Sequence, residues 1–306
     1  MYHIIFNPKS KGSQSRDVCR MVLAQLKVRE LDYTLYKTDH ARHAEEIAHM
    51  LTRGHVPCTI LVIGGDGTMN EVLNGICYPD CVTIGLIPSG SGNDFAKAAG
   101  IPKDPQKALE LILSGKTADI HYGLMQAGRK NRRFLISCGA GFDSEVCRET
   151  HHSRLKKFLS LYSMGNLVYT IIAIKRMIMR TVFSAELSGK GEEKHNYDNV
   201  TFVTTFNSSY EGGGFRFCPP ADPRTGKLYV LCVHDVPLYQ LPPLFPLARI
   251  GKHLRFTSKI ALRDTYHMNL SFSRPTCIHT DGEVLGCSRH LKIRASQDTF
   301  KMYWPE

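Results

Sequence analysis

Two rhythms of apolar and polar residues divide the chain. Up to about residue 115, short apolar runs alternate with stretches that carry an apolar stripe at helical spacing. The runs Tyr2–Phe6, Tyr33–Tyr36, Ile60–Ile63 and Val82–Ile87 have the length of strands. Val18, Met21, Val22 and Leu26 share one helical face, as do Ala44, Ile47, Ala48 and Leu51, and then Ala108, Leu109, Ile112 and Leu113. Strands and helices in alternation predict a parallel, doubly wound α/β sheet. Near residue 120 the rhythm changes: Phe134–Cys138 reads as a strand, Gly139–Asp143 as a glycine-rich turn, and 154–180 as a long helix. Further on, Val200, Phe202, Thr204 and Phe206 alternate with period two, as do Leu228, Val230 and Cys232; Leu270–Phe272 and Leu291–Ile293 continue the strands. This order predicts an α/β domain over 1–125 and a β-rich domain over 126–306.

Candidate chemistry lies where strands pass into helices. Ile60–Ile63 enters Gly64-Gly65-Asp66-Gly67-Thr68-Met69-Asn70-Glu71, and Val82–Ile87 enters Pro88-Ser89-Gly90-Ser91-Gly92-Asn93-Asp94. Gly64, Gly65 and Gly67 remove Cβ atoms where a phosphate would approach the backbone, and a helix opening at Thr68 turns its free N–H groups toward the same place. A carboxylate in such a cradle, Asp66, has a use if a divalent cation bridges it to the anion or if it handles a proton. Loops at the carboxyl ends of parallel strands share one rim, so these two can face one ligand.

Composition narrows the classes. The 306 residues are 42% hydrophobic and 22% charged with no low-complexity tract or internal repeat, which excludes a disordered chain. No apolar run nears the roughly 18 residues of a membrane span. The apolar stretch before Asn7-Pro8 is too short for a signal peptide, so a cytoplasmic location is expected. Ten scattered cysteines without a C-x-x-C pair read as reduced thiols, and the 14 histidines do not cluster at ligand spacing. A net charge of +11 calls for an anionic partner. Nucleic acid is set aside, because no reading motif is present and a single tryptophan offers little for base stacking. Glu110 stands where a Walker loop ending in Gly115-Lys116-Thr117 needs glycine, and Phe95 where a dinucleotide fingerprint starting at Gly90 does. Neither G-x-S-x-G nor H-E-x-x-H occurs.

The blocks Gly64–Val72 (GGDGTMNEV), Pro88–Ala96 (PSGSGNDFA) and Thr280–Glu283 (TDGE) resemble, in order and spacing, the soluble bacterial diacylglycerol kinase and sphingosine kinase superfamily of lipid kinases, along nearly the whole chain. Gly-Gly-Asp-Gly alone is shared with NAD kinases and phosphofructokinases; the continuations Asn70-Glu71-Val72 and Asn93-Asp94-Phe95-Ala96 point to the lipid kinases. The resemblance implies an NAD kinase/phosphofructokinase-like α/β nucleotide-binding domain, a β-sandwich domain with the active cleft between the two, and ATP and Mg2+ as cofactors. It implies an ATP site at Asn7, Pro8, Lys9, Ser10, Lys11, Thr38, Gly64, Gly65, Asp66, Gly67, Thr68, Asn70, Glu71, Gly90, Ser91, Asn93 and Asp94. Asp66, Asp94 and Glu283 would hold Mg2+ directly or through water, with Asp281 and Glu283 near the transferred phosphoryl and Asp66 completing the catalytic set. Glu283 would be the base, since an acceptor hydroxyl is a poor nucleophile until a carboxylate takes its proton.

The implied reaction moves the γ-phosphoryl of ATP to a lipid hydroxyl, foremost that of diacylglycerol to give phosphatidic acid. A sphingoid base, ceramide or an undecaprenol-like alcohol are alternative acceptors, and NAD kinase activity is the second reading. The protein is expected to work peripherally at the anionic inner face of a membrane, docking through 154–180 with Lys156, Lys157, Lys175 and Arg176; a homo-oligomer is compatible with the sequence. Three departures stand out: the first loop has its glycine at 12, one place late, Ser91 replaces a commoner threonine, and Thr225 occupies the place of a carboxylate. Asp222 is then the only carboxylate of a loop that bacterial relatives use for a structural magnesium, and no second metal is expected there.

Overall fold

The computed structural model describes residues 1–10, 13–152, 179, 181–189, 191 and 193–305. Lys11 and, apart from Met179, the docking segment expected over 154–180 lie outside them. The chain forms two units, Met1–Tyr122 with Ser296–Glu306, and Gly123–Ala295.

In unit 1, β1 (Tyr2–Phe6), β2 (Tyr33–Lys37), β3 (Cys58–Gly64), β4 (Val82–Pro88), β5 (Thr117–Ile120) and β15 (Phe300–Tyr303) make a six-stranded sheet in the order β2-β1-β3-β4-β15-β5. All neighbours are parallel except β15 and β5. Its helices are α1 (Ser13–Val28), α2 (His43–Thr52), α3 (Asp66–Gly75), α4 (Asp94–Ala98) and α5 (Pro105–Leu113). α1 packs with α5 and α2 with α3. The apolar runs become the central strands, with Ile60–Ile63 wholly buried, because a sheet covered on both faces leaves neither side of a strand for polar residues. The helical stripes bury as their spacing requires: Val22 and Leu26 on α1, Ala44, Ile47 and Ala48 on α2, Ala108, Leu109 and Ile112 on α5. α3 begins at Asp66, two residues before the expected Thr68. The strand order reverses between β1 and β3, and at such a switch point the loops after the two strands diverge and leave a crevice for a ligand.

Residues 296–306, expected in the second domain, belong to this sheet: β15 lies between β4 and β5 and buries Phe300 and Met302. A four-residue strand shows alternation but nothing that names its neighbour.

Unit 2 is a nine-stranded sheet of β6 (Gly123–Ala127), β7 (Lys130–Phe134), β8 (Ser137–Gly141), β9 (Phe183–Gly189), β10 (His195–Phe206), β11 (Leu228–His234), β12 (Ile260–Thr265), β13 (His267–Thr280) and β14 (Glu283–Ala295). The order is β12-β11-β10-β8-β13-β14-β6-β7, with β9 pairing β10 and β13 beyond the end of β8. Met125 of β6, Phe183 of β9, Leu228 of β11 and Leu291 of β14 share one core, so the curled sheet packs against itself. On the other side of β10 and β11, Phe206, Leu231 and Val233 pack against Leu241 of α7 (Leu241–Arg249). The expected strand over 134–138 divides at Leu135-Ile136 between β7 and β8. The expected turn over Gly139–Asp143 is also revised: β8 runs through Gly141 and α6 (Phe142–His152) follows at once. Its first glycine marks a close approach inside a strand, not a bend.

Candidate active site

Adjacent parallel strands bring the two glycine loops together. β3 and β4 end in register, Gly64 beside Pro88, and Ser89 N–H donates to Gly64 O at 2.8 Å. The backbones then touch: a Cβ on Gly65 would stand 2.8 Å from Gly90 Cα, and one on Gly90 2.5 Å from Gly65 Cα, so neither position admits a side chain without parting the loops. Asn93, at φ +54, closes its own loop by accepting from Gly90 N–H at 3.0 Å and donating to Gly90 O at 2.8 Å. Around Gly67, by contrast, an added Cβ would meet nothing within 4 Å. Among the described residues there is thus space beside Gly67 in the first turn of α3, where the opening N–H groups of a helix have no partner inside the helix.

The loop after β1 joins this rim. Asn7 donates from Nδ2 to Thr68 Oγ1 at 3.0 Å and accepts from Lys9 N–H at Oδ1, while Ser10 Oγ donates to Ser89 O at 2.9 Å. Pro8 O accepts from Ser15 Oγ, and Lys9 Nζ reaches Asp39 O at 3.0 Å, next to the buried Thr38. Asn70 is buried within α3 and accepts from Asn74 Nδ2, and Ser91 is exposed. Glu71 faces elsewhere. Its carboxylate accepts from Arg42 N–H at 3.0 Å and Ala44 N–H at 3.2 Å, capping the N-terminus of α2, where Arg42 sits at φ +65.

Asp66 performs the same capping task between loops: Oδ2 accepts from Asp94 N–H at 3.0 Å and Oδ1 from Phe95 N–H at 3.1 Å, at the start of α4. A Cβ on Gly92 would lie 3.1 Å from Asp66 Oδ2 and 3.6 Å from Asp94 Oδ2, so both carboxylates border one small space beside an open helix N-terminus. Two carboxylates bordering one space are a donor set that fits Mg2+, a hard cation that takes few protein ligands and completes its shell with water or substrate oxygens.

In unit 2 the carboxylates sit on a hairpin. Asp281 (φ +46) and Gly282 (φ +80) form a two-residue turn between β13 and β14, with Thr280 paired to Glu283. Positive φ at both central positions is the type I′ geometry that Asp-Gly favours. Asp281 is spent on anchoring: its carboxylate accepts from Leu135, Ile136 and Ser137 N–H at 2.8 to 2.9 Å, and its own N–H donates to Ser137 O. Glu283 is half exposed and ion-paired at 3.2 Å with Arg132, a β7 residue that the sequence pattern does not single out.

Behind the hairpin lies a buried network that the linear sequence hides. His279, Gly139 and Thr204 form one row across β13, β8 and β10. A Cβ on Gly139 would overlap Asp143 Oδ2, Thr204 Oγ1 and His279 Nε2, and the missing side chain is the space in which these groups meet. Asp143 Oδ2 lies 3.0 Å from His279 Nε2 and accepts from Thr204 Oγ1, and Oδ1 accepts from Ser144 N–H. Burial alone would push the Asp143 carboxyl up; the neighbouring His279, together with Thr204 and Ser144, holds it below its ordinary value. At His279 burial disfavours charge, while Asp143, Glu211 and Asp281 favour it and would carry the pKa up to about 9. Gly282 N–H, however, donates to Nδ1 at 3.3 Å, and only a ring without a proton there can accept. The bonding pattern is that of the singly protonated ring, with its proton on Nε2 toward Asp143.

Asp222 accepts a two-pronged contact from Arg224, at 2.6 Å for the shortest pair, so this loop supplies its own cation. Among the described residues, His40, His43 and Glu46 do meet on the surface despite their spacing, although His43 Nδ1 already accepts from Asp39 N–H. Among the described residues no helix is long and apolar enough to cross a membrane.

Comparison with known proteins identifies the family. Residues 1–125 match the diacylglycerol kinase catalytic domain, and residues 136–293 match the YegS C-terminal NAD kinase beta sandwich-like domain. The chain belongs to the bacterial diacylglycerol kinase/YegS family of lipid kinases, enzymes whose phosphoryl acceptor is an alcohol. It is 27% identical over 306 residues to the diacylglycerol kinase of Staphylococcus carnosus, covering 96% of this chain and 95% of that protein. It is 30% identical to the "Probable lipid kinase YegS-like" of Enterobacter sp. strain 638, over 71% and 69% of the two chains. In fold it resembles a diacylglycerol kinase from Bacillus anthracis (TM-score 0.71, 19% identity, 99% and 96% covered). It also resembles an NAD kinase from Archaeoglobus fulgidus solved with ATP (TM-score 0.52, 12% identity, 100% and 94% covered).

Proposed function

We infer that the protein transfers the γ-phosphoryl of ATP to the hydroxyl of diacylglycerol, giving phosphatidic acid, in a reaction that requires Mg2+. The observation that carries this reading is the joint rim of Gly64–Thr68 and Gly90–Asp94, where backbone contact excludes side chains, Gly67 leaves space, and Asp66 and Asp94 face one small volume. Phosphoryl transfer needs alignment and neutralisation more than covalent help, and backbone N–H groups with carboxylates supply both.

The open first turn of α3 would receive the phosphates, with Asn7 and Thr68 fixing the loop edge. Asp66 and Asp94 would hold Mg2+, which when bound neutralises developing charge on the phosphoryl oxygens. Glu283 would accept the proton of the lipid hydroxyl, and Arg132 orients its carboxylate for that role. Asp281 is assigned to anchoring the hairpin rather than to the phosphoryl group. Net charge of +11 supports peripheral attachment to an anionic membrane, where the lipid resides.

The test is to incubate the protein with ATP, Mg2+ and vesicles of total lipid extract and to identify the phosphorylated species by mass. Phosphatidic acid is the expected product. Phosphorylated sphingoid base, ceramide or polyprenol with no phosphatidic acid would replace the acceptor, and NADP formed from NAD with no lipid product would replace the reading.

A further inference from the structure

The Asp281-Gly282 turn has two backbone N–H groups that its hairpin ladder cannot use. One, on Asp281, donates to Ser137 O; the other, on Gly282, donates to Nδ1 of the fully buried His279. The ring is held from its far side, where Nε2 meets Asp143, itself fixed by Thr204, by Ser144 and by the space that Gly139 leaves. This order of contacts, a carboxylate fixing the tautomer of an imidazole whose other nitrogen does a task, is a known way to set which ring nitrogen is bare. Here the task falls on the residue just before Glu283. The charged groups around the ring are Asp143 of α6, Glu211 and Asp281 of the turn.

We propose that His279, oriented by Asp143, is a positioning residue for phosphoryl transfer: by accepting Gly282 N–H at Nδ1 it fixes the hairpin tip and so the place of the Glu283 carboxylate. The proposal rests on the reading of Glu283 as the proton acceptor. Asp143 and His279 touch neither substrate nor phosphate in this account. They act through the turn, so their loss should lower turnover and leave ATP affinity alone.

Two amides separate this role from plain core packing. In His279→Asn the side-chain oxygen can occupy the place of Nδ1 and accept Gly282 N–H but cannot reach Asp143, while in His279→Gln the amide can reach Asp143 but no longer accepts Gly282 N–H. The full-length variants are assayed with ATP, Mg2+ and phosphatidylglycerol vesicles containing diacylglycerol, beside Glu283→Gln. The expected result is kcat about tenfold lower in H279Q than in H279N, with KM for ATP within about twofold of the parent in both. Equal kcat in the two amide variants while E283Q is inactive would overturn the positioning role and leave the reading of Glu283 standing; parental kcat in E283Q would overturn that reading itself. Should neither variant fold, ring 15N NMR of the unmutated protein decides. A bare, hydrogen-bonded Nδ1 with a protonated Nε2 on His279 supports the proposal, and a doubly protonated ring at the assay pH overturns it.

Discussion

The rim of unit 1 and the hairpin of unit 2 solve the same problem, holding polar groups still, by opposite means. At the rim the fixed elements are backbone: Gly65 against Gly90, Ser89 N–H on Gly64 O, and the opening turn of α3 around Gly67. The carboxylates there cap helices, Asp66 on α4 and Glu71 on α2, so they stiffen the frame even before any ligand. At the hairpin the fixed elements are side chains gathered from elements remote in sequence: Asp281 on 135–137, Arg132 on Glu283, His279 between Asp143 and Gly282. A backbone cradle suits phosphate, which is recognised by shape and charge alike in every nucleotide. A single proton acceptor must instead be aimed, and aiming needs side chains on several sides.

The strongest way to break this comparison is to remove one carboxylate from each region. Glu283→Gln should lower kcat by at least about a hundredfold, the usual worth of a positioned base, with KM for ATP nearly unchanged. Asp66→Asn should lower turnover about as far, because metal positioning is lost, while Tm falls only slightly: one amide oxygen still accepts an N–H of α4. Activity above a tenth of the parent in Asp66→Asn would remove Asp66 from the catalytic set.

Substitution of the glycines gives a finer contrast within the rim. Gly65→Ala places a Cβ 2.8 Å from Gly90 Cα, and backbone on both sides leaves nothing flexible to yield. It should destabilise the protein by about 1–3 kcal/mol and weaken ATP binding. Gly67→Ala meets nothing within 4 Å and gains helix propensity, so its thermal midpoint should hold or rise by the equivalent of roughly 0.5–1 kcal/mol. Its KM for ATP should nevertheless rise severalfold, since the Cβ enters the space assigned to phosphate. Parental ATP affinity in Gly67→Ala, measured by calorimetry, would take the phosphate away from this turn.

The difference in construction also explains what the amino-acid sequence reveals. A backbone cradle must be written locally, because only glycine permits Gly65 to touch Gly90, and so the rim, its strands and its helices are readable along the chain. The Asp281-Gly282 turn is readable for the same reason. The partners of Glu283 and His279 are not, since Arg132 lies 151 residues from Glu283 and Asp143 136 residues from His279, and nothing local marks either. Gly139 misled for an instructive reason: two glycines shortly ahead of an aspartate, Gly139-Ala140-Gly141-Phe142-Asp143, look like a turn, whereas here Gly139 makes room for three side chains from neighbouring elements inside a strand. β15 escaped because four residues of alternating pattern fit either sheet, and its place between β4 and β5 is a matter of where the chain returns.

The smallest effect concerns acid stability and isolates the side-chain-built region. Asp143 is held below its ordinary value in the folded protein, where His279, Thr204 and Ser144 overcome the cost of its burial. A group with a lowered folded-state pKa stabilises the native form fully above its unfolded value, near 3.9, and loses that contribution as pH falls through the folded one. In Asp143→Asn the contribution is absent at every pH. The parent should therefore exceed the variant in urea midpoint at pH 7, with the gap narrowing only below about pH 4 and nearly closed at the acid end. The rim supplies the control: in Gly65→Ala, which alters packing without removing a charge, the deficit against the parent should stay constant over the same range. A gap for Asp143→Asn that is equally flat from pH 7 to pH 3 would mean that Asp143 acts by shape alone, and the distinction between a backbone-built and a charge-built region would fail at Asp143.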